Sequence, residues 1–116
     1  MAYDLTGLYG RVSKEMRRNP YSQLHYLSRY LGVGRHTIEK SVKAATGTSF
    51  REHRTKVLLE HARSRLEQNP NLSIKEIAFS IGFRSQRSFC RFIKATAGCS
   101  PKVLRETGKR PKDAAA

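Results

Sequence analysis

The stretch IEKSVKAATGTSF, Ile38 to Phe50, is written again fifty-one residues later as FCRFIKATAGCSP, Phe89 to Pro101. Lys43, Ala44, Gly47 and Ser49 fall on Lys94, Ala95, Gly98 and Ser100, while Val42 meets Ile93 and Lys40 meets Arg91. Upstream, LSRYLGV (Leu27 to Val33) parallels IAFSIGF (Ile77 to Phe83), with Gly32 on Gly82 at an offset of fifty. One extra residue in the second copy accounts for the change of offset. Each copy reads as a helix, a tight turn carrying glycine, and a second helix. That is the helix-turn-helix pattern, whose second helix enters the DNA major groove. Helix pairs with a glycine turn also occur in proteins that bind no DNA, so the weight rests on the second copy and on the charge.

The charge is large. Lys and Arg number 23 against 9 acids, a net +14 on 116 residues. Self-repulsion on that scale opposes compaction and favours a polyanionic partner, nucleic acid first and an anionic membrane surface second. A length of 116 residues allows one domain or two very small ones. Hydrophobic residues make up 38% and Trp is absent, so a core requires helices that share their apolar faces. Cys90 and Cys99 are too few for a disulfide framework or a metal quartet. No apolar run is long enough for a signal segment or a membrane span, and the chain reads as intracellular with reduced thiols.

An all-α fold of about seven helices is expected, because apolar residues recur at helical spacing and no segment alternates as a strand. Leu5, Leu8, Val12 and Met16 mark the first helix, which Asn19-Pro20 ends. A second runs from about Ser22 to Leu31 with Leu24, Leu27 and Leu31 inward, and Gly32 stops it. A third spans Arg35 to Thr46 with Ile38, Val42 and Ala45 on one stripe, closed by Gly47. SFRE (Ser49 to Glu52) and SIKE (Ser73 to Glu76) are capping boxes that open a fourth and a fifth helix. Val57, Leu58, Ala62 and Leu66 carry the fourth as far as Asn69, and Ile74, Ile77 and Ile81 carry the fifth to Gly82. Ser85 caps a sixth with Phe89 and Ile93 inward, and Pro101 suits the first position of a seventh. The resulting organisation is a first helix-turn-helix unit over 1–48, a linker helix over 49–69, a second unit over 70–108 and a disordered basic tail over 109–116.

With Ile38 and Val42 buried, His36, Lys40 and Lys43 lie opposite, flanked by Thr37 and Glu39. With Phe89 and Ile93 buried, Arg87, Arg91 and Lys94 lie opposite, flanked by Cys90 and Gln86. Arginine pairs with two acceptors on guanine and glutamine with adenine, at about 1–3 kcal/mol of discrimination each. Base contact is therefore expected from His36, Glu39, Lys40, Gln86, Arg87 and Arg91, with Thr37 and Cys90 as flanking candidates, Cys90 reading first as a small filler residue. Phosphate contact is expected from Arg35, Lys43, Ser73, Ser85 and Lys94, which position without reading sequence. The bland reading of all these side chains is a solvated face.

The sequence resembles the DNA-binding domain of the AraC/XylS transcriptional regulators from about Leu5 to Arg105. The most specific part is Ile74 to Arg105, at Ile77-Ala78, Gly82-Phe83, Ser85, Phe89, Arg91, Ile93-Lys94, Gly98, Ser100-Pro101 and Arg105. The resemblance implies a sequence-specific regulator in which a rigid helix joins two helix-turn-helix units that dock into successive major grooves. Its second reading helix corresponds to Gln86, Arg87, Ser88, Cys90 and Arg91, and its first to His36, Thr37, Glu39 and Lys40. The sequence departs from the family pattern at Gly34, where a capping Ser is usual, at Lys40, where Arg is common, and at Val42 and Ile93, where Phe is usual. Double-stranded DNA and RNA polymerase are the implied partners, in the bacterial cytoplasm and at the nucleoid. A helix of about 30 Å would hold two reading helices near the 34 Å of one DNA turn, so one chain is expected to bind as a monomer to an asymmetric site. Most members of the family carry a further effector-sensing or dimerising domain, and the chain is expected to be either a stand-alone regulator or part of a longer one.

An enzyme is not expected. His25, His36, His53 and His61 have no metal-ligand spacing, no glycine loop cradles phosphate, and no cofactor is implied. The alternative is a basic helical module that binds RNA or a protein partner without reading DNA; an RNA binder should expose aromatics for stacking.

Overall fold

Asp4 opens the first helix by accepting a hydrogen bond from the Gly7 amide at 3.2 Å, and the chain continues as seven helices. The computed structural model describes residues 4–107. Helices α1 (Leu5–Arg18), α2 (Leu24–Leu31), α3 (Arg35–Thr46), α4 (Phe50–Gln68), α5 (Ile74–Ile81), α6 (Gln86–Ala97) and α7 (Pro101–Thr107) follow in order, with no strand among the described residues. The tail over 109–116 lies outside the described residues. The chain divides into two compact units, and the division falls inside α4, between Val57 and Leu58.

In the first unit α1 packs most extensively on α3. Leu8, Val12 and Met16 of α1 form one core with Leu27, Val33, Ile38, Val42 and Phe50. In the second unit the buried apolar residues are Leu58, Ala62, Leu66, Ile77, Ala78, Ile81, Phe83, Phe89, Ile93 and Leu104. Phe83 meets Phe89 edge-on at 5.2 Å between ring centroids. Truncating a fully buried aromatic such as Phe89 costs about 3–5 kcal/mol, so α6 is held firmly from beneath.

The duplication reaches further than the turn and its two helices. Leu8, Val12 and Met16 recur at an offset of fifty as Leu58, Ala62 and Leu66, and Asn19-Pro20 recurs as Asn69-Pro70. The backbone repeats with them: Ser22 donates to the Asn19 carbonyl at 3.0 Å, and Leu72 to that of Asn69 at 3.1 Å. The second half of α4 thus corresponds to α1. Its first half corresponds to α7, since Arg54 falls on Arg105 at the offset of fifty-one. Each of these arginines ties its helix to the loop before a helix-turn-helix.

Two expectations change. α2 begins at Leu24, not near Ser22, because the Ser22 hydroxyl bonds the Asn19 carbonyl and its own carbonyl is taken by Arg54. Its inward residues are as expected: Leu27 is buried, and half-buried Leu24 and Leu31 pack against the same core. Ala45 is exposed, because the buried arc advances by fours from Ile38 through Val42 to Thr46, where the hydroxyl bonds the Val42 carbonyl at 2.8 Å.

Candidate nucleic-acid interface

Two turns lead into α3 and α6. In the first, Gly32 takes φ +69°, and the amides of Gly32 and Val33 close on the Ser28 carbonyl at 3.0 and 3.1 Å. A Cβ on Gly32 would meet open space, so the left-handed backbone alone makes glycine the suitable residue. Val33 then turns into the core. In the second, the Phe83 amide closes on Ala78 at 3.0 Å, and buried Phe83 anchors the turn as Val33 does.

The helix starts differ. Ser85 accepts a hydrogen bond from the Ser88 amide at 3.1 Å and so caps α6. Gly34 precedes α3 with no side-chain cap. The first amides of α3 therefore lack the intramolecular acceptor that α6 has.

On α3, Ile38, Ser41 and Val42 are buried. His36, Glu39, Lys40, Lys43 and Arg35 are exposed, and Thr37 is half-buried. His36 Nδ1 lies 3.8 Å from Glu39 Oε1, with the side chains 84% and 51% exposed. Lys43 donates to the Gly47 carbonyl at 3.1 Å and so helps close the end of α3. On α6, Phe89 and Ile93 are buried, Gln86, Arg87, Ser88, Arg91 and Lys94 are exposed, and Cys90 is half-buried.

Among the described residues, Gln86, Arg87, Arg91 and Lys94 carry no intramolecular side-chain hydrogen bond or ion pair. Other arginines are committed: Arg18 to Glu15 at 3.0 Å, Arg54 to Ser22 at 2.9 Å, Arg105 to Leu72 at 2.6 Å. The α6 cations are placed by a packed helix yet left with open donors, which suits an external acceptor. The candidates on α3 gather on one face of that helix, and those on α6 gather on another.

Ser73 belongs to neither group. It caps α5 by accepting from the Glu76 amide at 3.0 Å, and its own amide donates to the Glu76 carboxylate at 3.0 Å. That backbone bond, with the Ser73 side-chain bond, holds the Glu76 carboxyl below the usual carboxylate range. Arg84 was not anticipated. It is exposed in the second turn and is part of the one-residue insertion there, which is the signal that marks it. Among the described residues, no group of His, Cys, Asp and Glu could hold a metal ion, and no helix is long and apolar enough to cross a membrane.

A family profile described as a helix-turn-helix domain matches residues 27–107. The probable transcription factor PqrA of Proteus vulgaris is 30% identical over 101 residues, covering 86% of this chain and 81% of PqrA. The HTH-type transcriptional regulator GlxA of Rhizobium meliloti is 34% identical over 79 residues, covering 68% of this chain but only 24% of GlxA. Among solved structures, the C-terminal domain of AraT, a response regulator from Geobacillus stearothermophilus, superposes with a TM-score of 0.78 at 26% identity, covering 90% of this chain and 88% of that one. An AraC-type regulator from Chromobacterium violaceum shares the fold, with a TM-score of 0.74 at 23% identity over 90% of this chain and 95% of that one.

Proposed function

Because the chain belongs to the AraC-type helix-turn-helix family, we propose that it is a transcriptional regulator that binds double-stranded DNA and reads it through α3 and α6. The observation that carries this reading is the α6 surface. Gln86, Arg87 and Arg91 stand exposed and uncommitted on a helix locked from beneath by Phe89 and Ile93. Arg87 and Arg91 are assigned to guanine edges and Gln86 to adenine, each pairing discriminating by about 1–3 kcal/mol. Cys90 contributes a small surface beside them. His36, Thr37, Glu39 and Lys40 form the reading face of α3.

Phosphates are assigned to Arg35, Lys43, Ser85 and Lys94. Ser73 is added as the weakest of these assignments, because its hydroxyl already bonds the Glu76 carboxylate, whose charge disfavours a phosphate. One chain carries two unlike reading faces, so the proposed complex has one protein on an asymmetric site. RNA polymerase is the proposed protein partner and the bacterial cytoplasm the proposed compartment.

A binding selection from random duplex DNA, followed by a salt titration on the selected site, tests the reading. If about six phosphates are neutralised, log affinity falls against log salt with a slope near −5. A slope near zero, or tighter binding to single-stranded RNA, overturns it.

A further inference from the structure

The first unit carries a second cationic surface that α3 does not touch. A hollow of about 340 Å³ is lined by Arg11, Lys14, Glu15, Arg18, Tyr30 and Leu31. A neighbouring one of about 430 Å³ is lined by His25, Tyr26, Arg29 and Tyr30. Tyr30 forms part of both and is 56% exposed. Its ring stacks on that of Tyr26 at 5.8 Å and 14°, and the Arg18 guanidinium lies 5.7 Å from its centroid.

Glu15, the acid in this lining, is spent inward. It is 4% exposed and receives Arg18 at 3.0 Å and the Tyr26 hydroxyl at 2.8 Å. What faces outward is therefore a cluster of cations around a fixed aromatic pair. The fold does not require it. At the corresponding places the second unit has Glu76 for Tyr26, Ser80 for Tyr30, His61 for Arg11 and Ser64 for Lys14. The second unit does expose Phe79, with Lys75 5.9 Å from its ring, where the first has Arg29, but Glu76 and Ser80 leave no tyrosine pair there, so the pair and the α1 cations beside it are particular to the first unit.

We propose that this α1–α2 face docks an acidic protein segment that carries an aromatic or aliphatic side chain. Carboxylates pair with Arg11, Lys14 and Arg29, and the apolar side chain lies on Leu31 and against the rim of the Tyr30 ring, which needs no free ring face. The charge complementarity would also suit nucleic acid. Duplex DNA, however, hides its bases and gives the tyrosine pair nothing to hold, and a single-stranded base needs a free ring face. The Tyr30 ring is already engaged by Tyr26 and Arg18, which favours the protein segment.

The test uses the full chain, labelled with ¹⁵N, and a short synthetic peptide alternating Glu with Leu and Phe. Amide shifts are followed by NMR, with an oligoglutamate and an oligouridine as comparison probes. The expected result is shifts centred on Lys14, Tyr26, Tyr30 and Leu31, stronger with the Leu/Phe peptide than with oligoglutamate. Tyr30→Ser, which installs the residue of the second unit, and the exposed substitution Lys14→Glu should each weaken the peptide about tenfold, the scale of losing one anchor side chain. Duplex binding by Tyr30→Ser should stay within about twofold of the parent, well under the 1.4 kcal/mol of a tenfold change. Shifts spread over every cationic face, affinity unchanged in both variants, or stronger perturbation of these amides by oligouridine would each overturn the proposal.

Discussion

Arg54 grips the carbonyl of Ser22 at 2.9 Å, and the same guanidinium holds Tyr21 at 3.0 Å and lies over the Tyr21 ring at 4.8 Å. Fifty-one residues later Arg105 does the same for Leu72, at 2.6 Å, with a longer bond of 3.4 Å to Asn69. The loop before each helix-turn-helix is thus fastened by one arginine from the helix that ends the unit. Removing either guanidinium leaves two carbonyls without their charged donor, at about 1.5–3 kcal/mol for such bonds. Arg54→Ala should therefore lower stability by about 2 kcal/mol, and Arg105→Ala by a similar amount. Urea melts measure the loss. Hydrogen exchange should place the new lability near Tyr21 and Ser22 in one variant and near Asn69 and Leu72 in the other. A loss under about 0.5 kcal/mol, the range of ordinary surface substitutions, would count against the tie.

Arg91 and Lys94 should separate reading from anchoring. Arg91→Ala is expected to relax preference at one or two base pairs and to cost about 1–3 kcal/mol on the best site. Lys94→Ala should weaken all sequences alike and flatten the salt slope by about one. Titration against a panel of single-base variants distinguishes the two. Equal, sequence-independent losses would refute the assignment.

Gly34 leaves the start of α3 uncapped with φ −61° and ψ 147°, a backbone any residue adopts. A Cβ there meets only Thr37 Oγ1 at 3.9 Å. Gly34→Ser should add a cap, worth a few tenths of a kcal/mol over glycine, and remove unfolded-chain entropy worth about 0.4–1 kcal/mol. A raised urea midpoint is the expected outcome. If the α3 amides hold a DNA phosphate, affinity falls in the same variant while stability rises.

Stability should decline on mild acidification. Burial, aided by Lys56 near His53 and Arg65 near His61, holds both imidazoles below the ordinary 6.5. The unfolded chain then binds protons that the folded one resists. The stabilisation is complete above pH 6.5 and is lost as pH falls through 6.5 toward the folded values. Urea midpoints at neutral pH and below pH 6 should show the decline, and His53→Gln should reduce it. An unchanged or higher midpoint in acid would contradict the prediction.

Helix ends were the most legible part of the sequence. Ser49 and Ser73 cap where their spacing to Glu52 and Glu76 placed them, and Ser85 caps α6 as expected, because a cap is a local bond between near neighbours. The exposed faces of α3 and α6 were legible for a similar reason, since burial of Ile38, Val42, Phe89 and Ile93 fixes what lies opposite. Long-range use of charge was not. Arg54 and Arg105 look like members of a solvated face, and only the fold brings each to a carbonyl more than thirty residues away. The correspondence of α1 with the second half of α4 was also hidden. Val12 and Met16 keep only their apolar character in Ala62 and Leu66, and Leu8 on Leu58 with the repeated Asn-Pro were the few literal clues.

The position of α4 in both copies bears on how the protein can be dissected. Phe50 and Arg54 complete the first unit, while Leu58, Ala62 and Leu66 supply the opening helix of the second. A cut after the third helix strips the first unit of its arginine clasp, and a cut after Gln68 deprives the second of its founding helix. A cut between Val57 and Leu58 leaves each unit its own partners, Phe50 and Arg54 with the first and Leu58, Ala62 and Leu66 with the second, but breaks the one helix that both units draw on.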